Sequence, residues 1–209
     1  MPKVKGTKPG ATHVTGPGGL SAAAFAHWYR DLSQRQWESL DLQQIAALAA
    51  EIERCQAEGR HVFTIGNGGS AAIASHLACD LAKTAAVPGA KPVKCVSLSE
   101  NMALVTACGN DLSFDDIFSR QLENLAAKGD LVILISGSGN SPNLLKAAKL
   151  AKARGAQVAS LLGFDGGRLK GLSDLHVHVE SDQYGVIEDL HSAVGHILTF
   201  YLKQRAARR

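Results

Sequence analysis

The sequence predicts an α/β protein in which helices cover both faces of a parallel sheet. Five short apolar runs follow Gly59, and they read HVFTIG, VKCVSLS, DLVILIS, AQVASLLG and DLHVHVE. Each run is joined to the next by enough residues for a helix, as parallel strands require. The chain has 209 residues, of which 45% are hydrophobic. It is therefore long enough to bury the core of a single domain.

The first part of the chain predicts a tail followed by helices. Residues 1–20 are rich in Gly, Pro, Lys and Thr without an apolar period, which indicates a disordered basic tail. Two helical patterns follow between residues 22 and 59, and Asp41 is the predicted N-cap of the second. The predicted apolar stripe of that second helix consists of Ile45, Leu48, Ile52 and Cys55.

Three later helices have recognisable ends. Ser141 followed by Pro142 predicts a helix start, and Gly155 after basic residues predicts its end. A second helix is predicted from the acidic pair at 115–116 to near residue 129, and the last over about residues 187–203. The predicted apolar stripe of the last helix consists of Leu190, Val194, Ile197 and Tyr201.

The charge distribution disfavours a nucleic-acid-binding face. The net charge is +3, but seven positive charges lie in two terminal segments without acids: Lys3, Lys5, Lys8, Lys203, Arg205, Arg208 and Arg209. Removing those seven charges leaves the rest of the chain at −4. Loose basic tails could touch polyanions only weakly, so nucleic acid is not an expected partner.

Composition also favours a cytoplasmic protein with no membrane association. No run of eighteen apolar residues occurs, and the N-terminal segment has charges and glycines where a secretory signal would be apolar. Cys55, Cys79, Cys95 and Cys108 form no C-x-x-C pair and lie in apolar segments. Reduced structural thiols are therefore expected.

The first predicted strand ends in a glycine motif that allows a dinucleotide site. Gly66, Gly68 and Ala71 match G-x-G-x-x-G/A. That fingerprint expects an acid about 20 residues later at the end of the second strand. Here the second strand ends near Glu100, which is too far along. A nicotinamide or flavin site is therefore disfavoured.

A serine-rich loop follows the third predicted strand. Ser136, Ser138 and Ser141 place hydroxyls and backbone N–H groups at the start of a helix, which is a typical anion-binding arrangement. No Gly-Lys-Ser or Gly-Lys-Thr follows, so a nucleoside triphosphate loop is excluded. The loop predicts a cradle for one phosphate monoester. The simpler alternative is a turn in which Ser141 only caps its helix.

Two groups of titratable residues could carry chemistry. His76 and Asp80 are four residues apart on the first helix after the glycine motif, so they share a face. Glu188, His191 and His196 lie near the start of the last helix. A His and acid pair at this spacing is more often structural, but this one follows a strand end where ligands of parallel sheets bind.

Taken in order, these motifs resemble the sugar isomerase (SIS) domain family, and most closely its phosphoheptose isomerases. The matching segments are GNGGSAAIASH, GNDLSFDDIFSRQLE, GDLVILISGSGNSPN, LLGFDGG and IEDLHSAVGH, over about residues 40–203. The resemblance implies a flavodoxin-like three-layer sandwich with a five-stranded parallel sheet. Residues 21–209 would form a single SIS domain with an N-terminal helical extension, assembled as a homotetramer with active sites at subunit interfaces.

The resemblance also implies an activity and its residues. The reaction would convert sedoheptulose 7-phosphate to the aldoheptose 7-phosphate. The implied substrate contacts are Asn67, Gly68, Ser70, Asn110, Asp111, Ser136, Gly137, Ser138, Ser141 and Glu188. The implied metal-binding and acid–base positions are His76, Asp80, Glu188 and His196.

Four positions depart from the family pattern. Asp80 stands where the family has Glu, and Glu188 where it has Gln. Gly185 replaces an Asp, and Thr84, beside Lys83, replaces a basic residue. The Asp80 side chain is one methylene shorter than Glu, which matters for a proton transfer that depends on placement.

The leading hypothesis is an aldose–ketose isomerase without a nucleotide or redox cofactor. Asp80 or Glu188 would remove the proton next to the carbonyl, and His196 would act on the oxygens. Two histidines and two carboxylates suit zinc, which could stabilise the enediolate. However, Glu188 and His196 are about 12 Å apart along one continuous helix, so both could hold one ion only if that helix frays or if they serve different subunits' sites.

The alternative hypothesis is a non-catalytic SIS protein, either a phosphosugar sensor or a protein-binding adaptor. Adaptors of this kind tend to lose the acid or the last-helix histidine. Asp80 and His196 are both present, which favours an enzyme.

Overall fold

A computed structural model describes residues 16–208, so most of the predicted tail at residues 1–20 lies outside the described residues. Five strands form one parallel sheet in the order β2-β1-β3-β4-β5. The strands are β1 (His61–Gly66), β2 (Lys94–Ser97), β3 (Leu131–Ser136), β4 (Gln157–Leu162) and β5 (Leu175–His178). This strand order is the flavodoxin-like one. The predicted fold class is confirmed.

Eight α-helices surround the sheet in the described part of the chain. They are α1 (Ala22–Ser39), α2 (Leu42–Glu58), α3 (Gly69–Cys79), α4 (Met102–Asp111), α5 (Ser119–Leu125), α6 (Pro142–Ala153), α7 (Gly167–Leu172) and α8 (Tyr184–Ala206). A π-helical turn, Asp80–Thr84, continues α3. A 3₁₀ turn, Phe114–Asp116, precedes α5.

The central strand β3 shows why both faces need helices. All six of its residues are buried. Leu131, Ile133 and Ile135 pack into a cluster with α2, α3 and α8. Val132 and Leu134 alternate with them and pack against α4 to α7 on the other face. Alternating side chains therefore build two apolar cores from one continuous apolar run.

The second helix follows its sequence prediction. The Asp41 carboxylate accepts hydrogen bonds from the backbone N–H groups of Gln43 and Gln44. Gly59 ends the helix in the left-handed conformation at φ 69°, which glycine adopts at little cost. The predicted stripe of Ile45, Leu48, Ile52 and Cys55 is buried.

The helix predicted from residues 115–116 to near 129 is wrong in its extent. The acidic pair closes a 3₁₀ turn instead, and α5 covers only seven residues. Asp116 accepts a hydrogen bond from Ser113 Oγ and pairs with Lys146 on α6. Asp130 accepts the backbone N–H of Ala127, which holds the following segment in a turn. These side-chain bonds compete with a longer helix.

The last helix is longer than predicted, and half of its predicted stripe is exposed. It begins at Tyr184 and ends at Ala206. Leu190 and Val194 are buried, but Ile197 is 41% exposed and Tyr201 42% exposed. Both residues line an apolar groove beside α2. A single protomer therefore leaves this part of the stripe uncovered.

Two composition-based expectations concern thiols and membranes. All four cysteines are free, and Cys55 and Cys108 are buried. Burial raises the pKa of the Cys55 thiol to about 11, which keeps it protonated and unreactive. Among the described residues, none of the helices has the length and apolar character needed to cross a bilayer.

Candidate active site

The candidate site begins where the adjacent strands β1 and β3 end. Their carboxyl ends lead into the N-terminal turns of α3 and α6, and a cavity of about 250 Å³ lies between them. Seven of the predicted substrate contacts line this cavity: Asn67, Ser70, Ser136, Gly137, Ser138, Ser141 and Glu188. Two helix N-termini facing one cavity provide unpaired N–H groups and a positive potential.

The loop after β3 has the features of an anion cradle. Ser136 Oγ accepts the backbone N–H of Gly139 at 3.0 Å, and Ser138 Oγ accepts that of Asn140 at 3.3 Å. Each bond uses an oxygen lone pair and leaves the hydroxyl proton available to a ligand. Ser141 is the N-cap residue of α6, but its side chain makes no capping hydrogen bond. The alternative in which Ser141 only caps the helix therefore lacks support.

A reciprocal amide pair holds the two site loops together. Asn67 and Asn143 each donate Nδ2 to the other's Oδ1 at 3.0 Å. Asn143 is 1% exposed, in the first turn of α6. The Asn67 side chain is thus committed to fixing the loop after β1 against the loop after β3. Sequence reasoning missed Asn143, because an Asn in a first helical turn carries no distinctive pattern.

Glu188 belongs to α8, and its carboxylate lies against the start of α3, on the cradle side of the site. A Cβ atom added to Gly69 would stand 2.3 Å from Glu188 Oε1. Residue 69 must therefore remain glycine for the carboxylate to keep its position. Tyr184 packs in the same way against the cradle backbone, 2.8 Å from an added Cβ at Gly137. The first two turns of α8 thus form one wall of the cavity.

A second group of side chains lies where α3 and α8 pack together. His76, Asp80 and His196 each offer one ligand atom, and these atoms lie within 4.8 Å of one another. Asp80 Oδ2 is 3.5 Å from His76 Nε2 and 3.9 Å from His196 Nε2. The two imidazole rings have centroids 5.1 Å apart. We call these three residues the His–Asp–His cluster.

The backbone and a neighbouring hydroxyl position Asp80. Asp80 opens the π-helical turn, and π turns within helices are frequent at functional sites. Thr84 Oγ1 donates a hydrogen bond to Asp80 Oδ1 at 2.9 Å, so Oδ2 is left to face the two histidines. Thr84, a departure from the family pattern, therefore orients the acid. A π turn leaves no recognisable signal in a single sequence.

The structure groups three of the four expected metal-binding residues. Glu188 is not part of the His–Asp–His cluster, because α8 is continuous from Tyr184 and places Glu188 two turns before His196. Eight residues of helix correspond to about 12 Å. The frayed helix start that would bring the two together is therefore absent within one protomer.

Three other predicted substrate contacts do not line this cavity. Gly68 is the N-cap of α3 at φ 55°, a conformation suited to glycine. Asn110 and Asp111 are exposed at the end of α4, where Asn110 Nδ2 donates to Asp111 Oδ1 at 2.8 Å. Neither of these two residues lines the cavity. In one protomer they are not brought to the cradle.

Helix α1 reaches the site through a tyrosine that sequence reasoning did not single out. Tyr29 donates a hydrogen bond to Asp189 Oδ2 at 2.7 Å. Its hydroxyl would lie 2.7 Å from a Cβ atom added to Gly185, so glycine at position 185 makes this approach possible. Burial and the Asp189 hydrogen bond raise the pKa of Tyr29 well above its usual value. Tyr29 therefore stays protonated as the donor.

Comparison with known proteins agrees with this architecture. The family model of the SIS domain matches residues 25–163. A probable phosphoheptose isomerase of Thermoplasma acidophilum is 35% identical over 177 residues, which is 85% of this chain and 97% of the relative. The phosphoheptose isomerase of a Nitratiruptor species is 40% identical over 79% of this chain and 87% of its own.

Solved structures give the same result. The phosphoheptose isomerase GmhA of Neisseria gonorrhoeae matches with a TM-score of 0.80 at 29% identity, over 87% of this chain and 96% of that one. A phosphoheptose isomerase of Francisella tularensis matches with a TM-score of 0.81 at 28% identity, over the same shares of both chains. The chain therefore belongs to the SIS-domain family, and its similarity within that family is to phosphoheptose isomerases.

Proposed function

We propose that this protein is an aldose–ketose isomerase that converts sedoheptulose 7-phosphate to D-glycero-D-manno-heptose 7-phosphate through an enediol. One observation carries the proposal: the first turns of α3 and α8 line the cavity that contains the phosphate cradle, and the His–Asp–His cluster lies further along the same two helices. Ser70 at the cradle and His76 in the cluster are six residues apart on α3, which is about 9 Å of helix. An extended seven-carbon sugar phosphate has a comparable length.

The cradle supplies the binding energy that positions the sugar. The hydroxyls of Ser136, Ser138 and Ser141 and the N-terminal end of α6 would hold the terminal phosphate. Because the phosphate is remote from the reacting carbons, its binding energy can orient them without changing during the reaction. The reacting end would then lie toward the His–Asp–His cluster.

The cluster can carry both proton movements of the reaction. A carboxylate takes the proton from carbon 1 of the ketose and returns it to carbon 2, while an acid moves a proton between the two oxygens. We assign the first role to Asp80, because its Oδ2 lies within 4 Å of both histidine Nε2 atoms. His196 takes the second role.

A zinc ion fits this cluster. Two imidazoles and one carboxylate are a ligand set that zinc accepts while keeping an open position, and the cavity between them is about 10 Å³. The hydrogen bond from Thr84 to Asp80 Oδ1 would hold this ligand in a fixed orientation toward the ion. When bound there, zinc would stabilise negative charge on the sugar oxygens. Asp80 would then be a ligand, and Glu188 would be the carboxylate for the carbon proton only where a neighbouring protomer carries it to the cluster.

We also propose a homotetramer with active sites at subunit interfaces. Two separate apolar surfaces of the protomer are exposed. One is the groove between α2 and α8, where Leu42 is 64% exposed and Tyr201 is 42% exposed. The other lies around α4, where Met102 at its start and Phe114 just after its end are both 62% exposed, and Phe114 follows the exposed Asn110–Asp111 pair by three residues. A dimer of dimers requires two different interfaces, and an interface at the second surface would bring the Asn110–Asp111 pair close to a neighbouring protomer.

The test measures isomerase activity, zinc content and molecular mass in solution. Purified protein should isomerise sedoheptulose 7-phosphate, contain zinc when prepared without chelator, and scatter light as four times 22.0 kDa. Comparing Asp80→Asn with Glu188→Gln, which restores the family's residue, separates the two candidate bases. Tight phosphosugar binding by an inactive wild type would instead support the sensor or adaptor alternative. A cytoplasmic location stays a prediction.

A further inference from the structure

His191 is a completely buried histidine that the proposed reaction does not use. It lies on α8 between Glu188 and His196, and its exposure is 0%. Its Nε2 lies 3.0 Å from the backbone oxygen of Leu162, the last residue of β4. That oxygen can only accept, so the tautomer with a proton on Nε2 is the one that fits.

A neighbouring contact fixes the same helix against the same strand end. A Cβ atom added to Gly163 would lie 2.6 Å from Ile187 Cδ1. Ile187 and His191 are one helical turn apart, so both seat on the consecutive residues Leu162 and Gly163. The apolar contact sets how closely α8 approaches the sheet. The directional hydrogen bond sets its rotation and its position along its axis.

We propose that His191 is a positioning residue that anchors the first turns of α8 to the end of β4 and thereby places Glu188 at the phosphate cradle. This inference rests on the proposed function. Glu188 follows Ile187 directly in the chain, and its carboxylate lies against Gly69 with no room for a Cβ atom between them. A small rotation of α8 would move the carboxylate out of this contact.

Burying His191 reduces the stability of the fold, which supports a functional role for this residue. Its Nδ1 is buried with no hydrogen-bond partner, and an unsatisfied buried acceptor destabilises a fold. Leu162 O also accepts the backbone N–H of Val179 at 2.9 Å, so it remains satisfied without the histidine. Burial lowers the pKa of His191 to about 4, and the ring therefore stays neutral at neutral pH. A leucine of similar size would serve stability equally well or better.

The test compares two substitutions at this position. His191→Leu removes the donor and also the orphaned Nδ1, so the melting temperature should be unchanged or higher. We expect kcat/KM for sedoheptulose 7-phosphate to fall at least tenfold, and hydrogen exchange of residues 184–191 to become faster. His191→Gln can place an amide donor near the position of Nε2, and should recover kcat/KM to within about threefold of the wild type.

Thr199→Val is the matched control on the same helix. Thr199 is also 0% exposed, but its hydroxyl donates only to Gly195 O within α8. This variant should keep wild-type kinetics and wild-type exchange at residues 184–191. Unchanged exchange in His191→Leu would overturn the anchoring role whether or not the enzyme is active. Wild-type kinetics in His191→Leu, or no recovery in His191→Gln, would overturn the positioning role. An inactive wild type would instead contradict the proposed isomerase.

Discussion

Acid should destabilise this fold through His191 in a pH range that the structure defines. An unperturbed histidine has a pKa of about 6.5. Burial, reinforced by the nearby charge of His178 and opposed by the hydrogen bond to Leu162, lowers the pKa of His191 to about 4. Between these two values the unfolded chain binds a proton that the folded chain does not. Stability must therefore fall as the pH falls from about 6.5 to about 4.

The size of this effect follows from the difference in pKa. Each pKa unit corresponds to about 1.4 kcal/mol, so the full penalty is about 3 kcal/mol once the pH is below 4. Above pH 7 the penalty is absent. His191→Leu lacks the titrating group, so this part of the acid sensitivity should disappear in the variant while the contribution of the carboxylates remains.

The assay is urea unfolding of the wild type and His191→Leu at one protomer concentration and several pH values between 7.5 and 4. Equal concentrations are needed because assembly contributes to apparent stability. The difference in unfolding free energy between the two proteins should shift by about 2 kcal/mol in favour of His191→Leu between pH 7 and pH 4.5. Parallel pH profiles for the two proteins would contradict this prediction, since they would mean that the pKa of the buried ring is not lowered in the folded protein.

Three further predictions concern the cradle, the cluster and α1. Ser136→Ala and Ser138→Ala should each raise KM about fivefold, which corresponds to about 1 kcal/mol for the loss of one hydroxyl contact. Calorimetry with sugar phosphates measures the affinity directly. An unchanged affinity in the double variant would contradict phosphate binding by this loop. Asp80→Asn and His196→Ala should each remove most activity with the assembly intact, and their combined loss should be far less than additive in steady-state kinetics. Tyr29→Phe removes the hydrogen bond from α1 to α8, so chemical denaturation should show a loss of about 1 kcal/mol, and an unchanged midpoint would argue against that tie.

The sheet was predictable because its signal is local and repeated. Five apolar runs with helix-length connections leave few alternatives to a covered parallel sheet. The true extent of α5 was not predictable from the sequence. Asp116 binds Ser113 and Lys146 rather than opening a helix that reaches residue 129. The pairing with Lys146 on α6 depends on tertiary structure, which a single sequence does not show.

The residues of the candidate site also divide into those that local spacing predicted and those whose roles depend on tertiary structure. The cradle and the His76–Asp80 pair followed from spacing within one loop or one helix, and the structure brings His196 to that pair. Thr84, Asn143 and Tyr29 could not be found, since their roles depend on a π turn, on contact between two loops and on the approach of α1 to Gly185. The predicted four-ligand set fails within one protomer only at Glu188, where helix geometry had already set a limit.

The most direct test of the account follows the reacting proton. Sedoheptulose 7-phosphate is incubated with the protein in D2O, and the product is analysed by NMR. We predict an aldoheptose 7-phosphate with deuterium at carbon 2, because the enediol exchanges its carbon proton through the enzyme's base with solvent. Asp80→Asn and His196→Ala should abolish both product and label. Product formation that persists in both variants, or a wild type that binds the sugar phosphate without converting it, would contradict the account.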